Sequence, residues 1–205
     1  MSKTNVIIIG AGGHLRSFLN LLDSNKYDIT GIYDNSFKKE NKEVIGKTPV
    51  RGTLADIITD QRIFLAIGDL DTKAQLITTF SSQLISHNLF HSKAIIEDHV
   101  FVNQRNHVFA GALINSYVSL GNDNIINSGA IIEHETTIGN NNHISIGAIL
   151  GGRVSIGDNC FIGAGAVIID KVSIGNHVTI GANSVVISSI TEPGVYVGNP
   201  VKKIK

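Results

Sequence analysis

From Ile96 to Val186 an aliphatic residue occupies every sixth position: Ile96, Val102, Val108, Ile114, Leu120, Ile126, Ile132, Ile138, Ile144, Leu150, Ile156, Ile162, Ile168, Ile174, Ile180 and Val186. A period of six fits neither a helix nor a lone strand, so it describes a repeating supersecondary unit, the hexapeptide signature of a parallel β-helix. Several hexads begin aliphatic-Gly, as in IGNNNH, IGDNCF and IGANSV. Three hexads, one on each face of a triangular prism, close a coil of about 18 residues, so the array predicts a little over five coils. The aliphatic residue points inward. So does the residue four later, which is often small or β-branched: Ala112, Val118, Ala130, Ala148, Val154, Ala166, Val172 and Val178. Gly, Asn and Asp crowd the turn phases, as at Gly129, Asn141, Gly147, Asn159, Gly165 and Asn183, because sharp corners need left-handed backbone. After Val186 the phase fades, and Pro193 and Pro200 close the array.

The N-terminal part carries a different pattern. A continuous aliphatic run, Val6 to Ile9, meets Gly10, Ala11, Gly12, Gly13 and His14, after which Leu15, Phe18, Leu19 and Leu22 recur at helical spacing. A second apolar segment, Ile29 to Tyr33, ends at Asp34 and Asn35. A third, Ile63 to Ile67, ends at Gly68 and Asp69 and precedes another helical pattern through Ala74, Leu76, Ile77, Phe80 and Leu84. Strands alternating with helices predict a small Rossmann-like α/β sheet, whose ligands bind outside the carboxyl ends of the strands. The expected organisation is an α/β domain over residues 1–85 and a β-helix with a C-terminal tail over 86–205. Gly10-x-Gly12-x-x-Leu15 lacks the third glycine of a dinucleotide fingerprint. Its glycines suit either phosphate binding at a helix N-terminus or a tight structural turn.

Composition narrows the function classes. Lys plus Arg and Asp plus Glu number 17 each, so net charge is zero and electrostatic capture of nucleic acid or membrane has no support. The run Lys38, Lys39, Glu40, Lys42, Glu43 mixes signs and reads as a solvated loop. The single cysteine, Cys160, excludes an internal disulfide and falls at an inward phase, as a buried thiol in a reducing compartment. The N-terminal apolar run is short and ends in glycines, so it reads as the first strand of a cytoplasmic protein. No apolar segment approaches the roughly 20 residues of a membrane helix.

The candidate chemistry lies in the histidines. His134 stands two residues after Ile132, at an outward corner, between Glu133 and Glu135. A carboxylate bonded to one ring nitrogen fixes the tautomer and makes the other nitrogen a better base. A surface histidine beside surface acids has the same sequence. His143 immediately precedes Ile144, on an outward strand phase nine residues from His134. Nine is half a coil, which sets the two on different sides of one prism, so a site using both needs two prisms side by side. Narrow solenoids have reason to associate in that way. His99, His107 and His177 read as structural or solvated, and His87 with His91 as boundary residues in preference to metal ligands. A zinc site of the γ-carbonic-anhydrase kind would want two histidines five apart in the coils, and none occurs, so no metal is expected. A purely structural or ice-binding prism would want a regular outward threonine ladder, and only Thr136 and Thr137 adjoin.

GAGGH after the first strand, YDN after the second, AIGD after the third, INSGAIIEHETTIGNNNHISIGA in the coils and the closing GVYVGNPVKKIK resemble the sugar O- and N-acyltransferases typified by PglD and NeuD, over essentially the whole chain. The resemblance implies a left-handed parallel β-helix, assembled as a homotrimer with active sites at subunit interfaces, and acetyl-CoA as cosubstrate. It implies His134 as catalytic base and Glu135 as the residue that raises its basicity. It implies His143, Gly152, Ala164 and Ala182 along the acetyl-CoA cleft, and Gly12, Gly13, His14, Asp34, Asn35 and Gly68 as nucleotide-sugar contacts in the α/β domain. Leu15 departs from the glycine often found after that histidine. Lys202, Lys203 and Lys205 read either as a frayed basic tail or as partners of the CoA 3′-phosphate. The activity implied is N-acetylation of a nucleotide-linked 4-amino-4,6-dideoxy sugar in surface glycan synthesis. O-acetylation of a sialic or related acid, or a nucleotide-sugar-binding protein without catalysis, are the alternatives.

Overall fold

A computed structural model of the chain describes residues 3–40 and 43–205. Lys42 of the mixed-charge run lies outside the described residues. The chain divides into two compact units, Met1–Ser86 and His87–Lys205.

In the first unit β1 (Thr4–Ile9), β2 (Tyr27–Tyr33) and β5 (Ile63–Leu65) form the parallel core of a five-stranded sheet. A hairpin absent from the sequence reading, β3 (Val44–Ile45) and β4 (Thr48–Gly52), extends the sheet beyond β2 to give the order β3-β4-β2-β1-β5. Ile7, Ile9, Ile63 and Leu65 are buried under α2 (Leu70–Thr79), which contributes Leu76. Asp69 caps α2, its carboxylate accepting from the Thr72 amide at 2.8 Å, so α2 starts directly at the third strand end. The first helix is shorter than its apolar spacing predicts. α1 spans only Gly13–Phe18, and Leu19–Leu21 tighten into a 3₁₀ turn.

The second unit is a parallel β-helix. Its first face stacks the strands Ile95–Ile96, Leu113–Ile114, Ile131–Ile132, Ile149–Leu150, Val167–Ile168 and Val185–Val186. Each pairs with the strand 18 residues on, as Ile114 does with Ile132. The second face begins at Phe101–Val102. The third begins at Leu89–Phe90, one hexad before the first position read from sequence, and closes with the hairpin Gly194–Gly198 and Val201–Lys203. The aliphatic positions from Val108 onward and the small residues four later make one continuous buried core.

Two features correct the sequence picture. From Ile96 to Ile180 the residue three after each inward aliphatic adopts positive φ whatever its type, so His99, Arg105, Tyr117, Asp123, Glu135, Arg153, Lys171 and His177 join the glycines and asparagines at the corners. The stacking of coils imposes the left-handed conformation that these side chains disfavour in isolation. The second feature is an asparagine ladder inside the prism. The Asn106, Asn124 and Asn142 side chains are fully buried. Each carbonyl accepts from the amide of the next coil: Asn124 at 2.9 Å, Asn142 at 2.8 Å and Cys160 at 2.7 Å. Their amide groups donate to Gly121, Gly139 and Gly157 carbonyls at 2.8–2.9 Å. Cys160 ends the ladder, its thiol donating to the Gly175 carbonyl at 3.0 Å, and burial pushes its pKa up. Asn142→Ala should therefore strand the Cys160 amide and the Gly157 carbonyl and destabilise the solenoid by about 1–3 kcal/mol, read as a fall in denaturant midpoint at unchanged m.

Candidate active site

His134 and Glu135 form the corner between the first and second faces, in the turn between Ile131–Ile132 and Thr137–Ile138. The neighbouring coils fix that corner. The Glu135 amide donates to the Ser116 carbonyl at 3.2 Å and the Arg153 amide to the His134 carbonyl at 2.9 Å. Thr136, buried directly after the pair, donates from its hydroxyl to the Gly151 carbonyl at 3.0 Å. The His134 Nδ1 lies 3.0 Å from Glu135 Oε2. With a carboxylate there, Nδ1 carries the proton and Nε2 keeps its lone pair, the arrangement of a general base. The two side chains are 45% and 52% exposed, so the ring is open to a reactant without leaving the corner. Glu133 is engaged elsewhere, accepting from the Asn115 side chain at 2.9 Å.

Two supporting residues come from the coil that follows. A Cβ on Gly152 would stand 2.8 Å from both Cε1 and Nε2 of His134. A side chain at 152 would push the ring out of this position. Arg153 Nη1 approaches Glu135 Oε2 at 3.6 Å. Sequence reasoning missed Arg153, although adding one 18-residue coil to Glu135 lands on it.

The remaining residues expected beside His134 stand elsewhere in the same chain. His143 opens the strand His143–Ile144 on the third face, opposite the His134 corner in a triangular section. Its outward phase does not make it accessible: it is 7% exposed, with the Asn127 amide 3.2 Å from Nε2 and the Phe161 ring edge-on at 5.0 Å. His107, two rows back on that face, is buried as well. His99 and His177 are exposed corner residues, and His99 stacks on Tyr117 at 5.0 Å. Ala164 and Ala182 lie on the corner between the third and first faces. One chain therefore separates the expected residues into two clusters: His134, Glu135 and Gly152 on one edge, and Ala164, Ala182 and the His143 face on another. Outside both, His91 Nδ1 accepts from the Lys93 amide at 3.1 Å, and Lys203 pairs with Glu192 at 3.1 Å.

In the first unit the three strand ends meet. Gly10, at φ +109°, packs where a Cβ would lie 2.7 Å from the Ala66 carbonyl oxygen, which brings the glycine turn against the end of β5. Asp34 ties that turn to β2. One oxygen accepts from the Ala11 amide at 2.7 Å, the other from the Ser36 amide at 2.8 Å and hydroxyl at 2.6 Å. Partial burial acts to raise the Asp34 pKa, but the Ser36 and Ala11 hydrogen bonds outweigh it and hold the carboxyl below its ordinary value. Asn35 accepts from the Leu54 amide at 3.2 Å. Gly68 faces the His14 ring, 3.8 Å from where its Cβ would be. Gly12 and Gly13 differ from Gly10. Neither has positive φ, and a Cβ on either meets nothing within 4 Å, so the fold itself does not demand glycine there. Asp34, Asn35, Ile67 and Ile9 border a cleft of about 460 Å³ whose other wall is Thr72, Gln75, Thr79 and Phe80 of α2 and its end, with Leu54 and Ala55.

Residues 5–80 match the family profile described as the PglD N-terminal domain, and residues 135–170 and 153–188 match that of the bacterial transferase hexapeptide (six repeats). The chain belongs to the PglD/NeuD-like acyltransferases. Solved structures extend that likeness over its whole length. This acyltransferase is 27% identical to perosamine N-acetyltransferase from Caulobacter crescentus, in a histidine-to-asparagine variant complexed with CoA and GDP-perosamine; the match covers 100% of this chain and 98% of that one at a TM-score of 0.88. It is 26% identical to the acetyltransferase domain of PglB from Neisseria gonorrhoeae, covering 98% and 99% of the two chains at a TM-score of 0.84. WeeI from Acinetobacter baumannii, 18% identical over 98% and 100% of the chains, shares the fold at a TM-score of 0.61. A search of curated protein sequences finds no match.

Proposed function

We propose that this acyltransferase transfers acetyl from acetyl-CoA to the amine of a nucleotide-linked 4-amino-4,6-dideoxy sugar, in the cytoplasm, as a step in surface glycan synthesis. The observation that carries the reading is the His134–Glu135 pair, with Nδ1 held by the carboxylate and the Nε2 edge lying over Gly152. Acetyl-CoA supplies an acyl group activated as a thioester. The Nε2 atom of His134 accepts the proton that the sugar amine loses as it attacks. Glu135 stabilises the imidazolium that forms and keeps the ring in the productive tautomer. His134 then returns the proton to the departing thiolate. The α/β unit holds the nucleotide, its diphosphate over Gly12, Gly13 and His14, where the open space above the glycines admits close approach, and its base in the cleft bordered by Asn35 and Gln75. Asp34 supports the turn from beneath, since its oxygens already accept from Ala11 and Ser36.

The homotrimer belongs to the same proposal. Support comes from the separation of the two residue clusters on one chain and from the outward row of the first face. Ile95, Leu113, Ile131, Ile149, Val167 and Val185 form an unbroken aliphatic ladder there, with Ile95 54% and Ile149 37% exposed. The second face starts with an exposed Phe101 and then presents Ser119, Thr137, Ser155 and Ser173 in the same phase. An aliphatic stripe of that length fits contact with another prism.

The test is thiol release from acetyl-CoA with a panel of UDP-, dTDP- and GDP-linked amino sugars and free sialic acids, run beside thermal shifts with each acceptor. One nucleotide amino sugar should both raise the melting temperature and release CoA. Release with a sialic acid alone would move the activity to O-acetylation. Stabilisation without any release would leave a binding protein.

A further inference from the structure

The coil after His134 supports the pair at both positions: Gly152 stands 18 residues beyond His134 and Arg153 18 beyond Glu135. Glu135 Oε2 faces His134 Nδ1 at 3.0 Å and Arg153 Nη1 at 3.6 Å, so one oxygen serves a ring and a guanidinium together. We propose that Arg153 is a positioning residue for acyl transfer: it holds the Glu135 carboxylate against Nδ1 of His134 and so keeps the ring in the tautomer whose Nε2 is free to take a proton. The inference rests on His134 being the base.

The charges around the ring single out Arg153. Glu133 is bonded to Asn115. Asp170 and Lys171, one coil further along the edge, pair with each other at 3.8 Å and offset one another. Tyr117, one coil before, stacks on His99. Among the described residues, Arg153 is the cation paired with the Glu135 carboxylate. Both partners are about half exposed, at 49% and 52%, and an ion pair of that kind contributes little to folding stability. What it sets is where the carboxylate stands: without Arg153, Glu135 is free to turn away from Nδ1 and the ring loses the partner that fixes its tautomer.

The full-length wild type, Arg153→Ala and Arg153→Lys are compared by the NMR nitrogen shifts of the neutral His134 ring, which report its tautomer, and by kcat and KM for thiol release. In Arg153→Ala the ring should pass from the Nδ1–H form to a mixture of tautomers and kcat should fall about tenfold, with both KM values and the melting temperature unchanged; Arg153→Lys should keep both readouts near wild type. A tautomer unchanged in Arg153→Ala, or changed as far in Arg153→Lys, overturns the proposal. The ring measurement requires no turnover. An absence of CoA release by the wild type, which would sink the proposed activity, is thus read separately from a failure of the Arg153 assignment.

Discussion

Alanine in place of His134 is expected to lower the rate of acetyl transfer by roughly two to four orders of magnitude while leaving the melting temperature where it was. Both halves follow from the corner. The ring is half exposed and its polar partner is the Glu135 carboxylate beside it, so its removal opens no cavity and strands no buried group. The same corner offers no second base to take over: Glu133 is held by Asn115, and Glu135 would be left paired with Arg153. An interaction made only as the proton moves shows in kcat, so KM for either substrate should change little. The measurement is steady-state thiol release at saturating acetyl-CoA and acceptor, with differential scanning fluorimetry on the same preparation.

Ala164→Trp is expected to cost at least about a hundredfold in kcat/KM, although Ala164 belongs to another edge of the prism from His134. Ala164 is half-buried on the corner between the third and first faces, outside the left-handed positions, so a larger side chain can be carried outward without backbone strain. In the proposed assembly that corner borders the cleft into which a neighbour's His134 points. An indole would occupy the path of acetyl-CoA, and the loss should appear chiefly as a raised KM for acetyl-CoA. A Trp variant with unchanged kinetics would take Ala164 out of the cleft.

What was legible in the sequence, and what was not, divides along one physical line. The sixth-position aliphatics of the array could be read directly because they fill the prism, and from Val108 to Val186 none fails. The corners could not. Composition points to Gly and Asn, yet Glu135 and Arg153 are forced to φ of 58° by the coils around them. His143 was readable as outward but not as buried, since burial depends on what covers a face and periodicity reports only which way a side chain points. The asparagine ladder was hidden because a hexad read alone shows a polar residue at an inward position, and its partners lie one coil away. In the α/β unit the long aliphatic runs gave the three parallel strands, whereas Val44–Ile45 and Thr48–Gly52, short and separated by only two residues, have too little pattern to stand out. The His134–Glu135 pair was visible as adjacent letters. Its supports, Gly152 and Arg153, become visible only when the coil period is applied to the corners as well as to the core.

The central claim is that each catalytic cleft draws His134 from one chain and the Ala164 edge from another. Differently tagged His134→Ala and Ala164→Trp chains, each nearly inactive as a homo-oligomer at acetyl-CoA well below the raised KM of the Trp variant, can be coexpressed and the doubly tagged assemblies assayed for thiol release at that concentration. In the proposed trimer with head-to-tail interfaces, each doubly tagged assembly then combines an intact His134 from an Ala164→Trp chain with an intact Ala164 from a His134→Ala chain in one cleft of its three, which restores about a third of the wild-type sites. Recovery near that level is the predicted result. Mixed assemblies as inactive as their parents would place the whole site within a single chain and contradict the account.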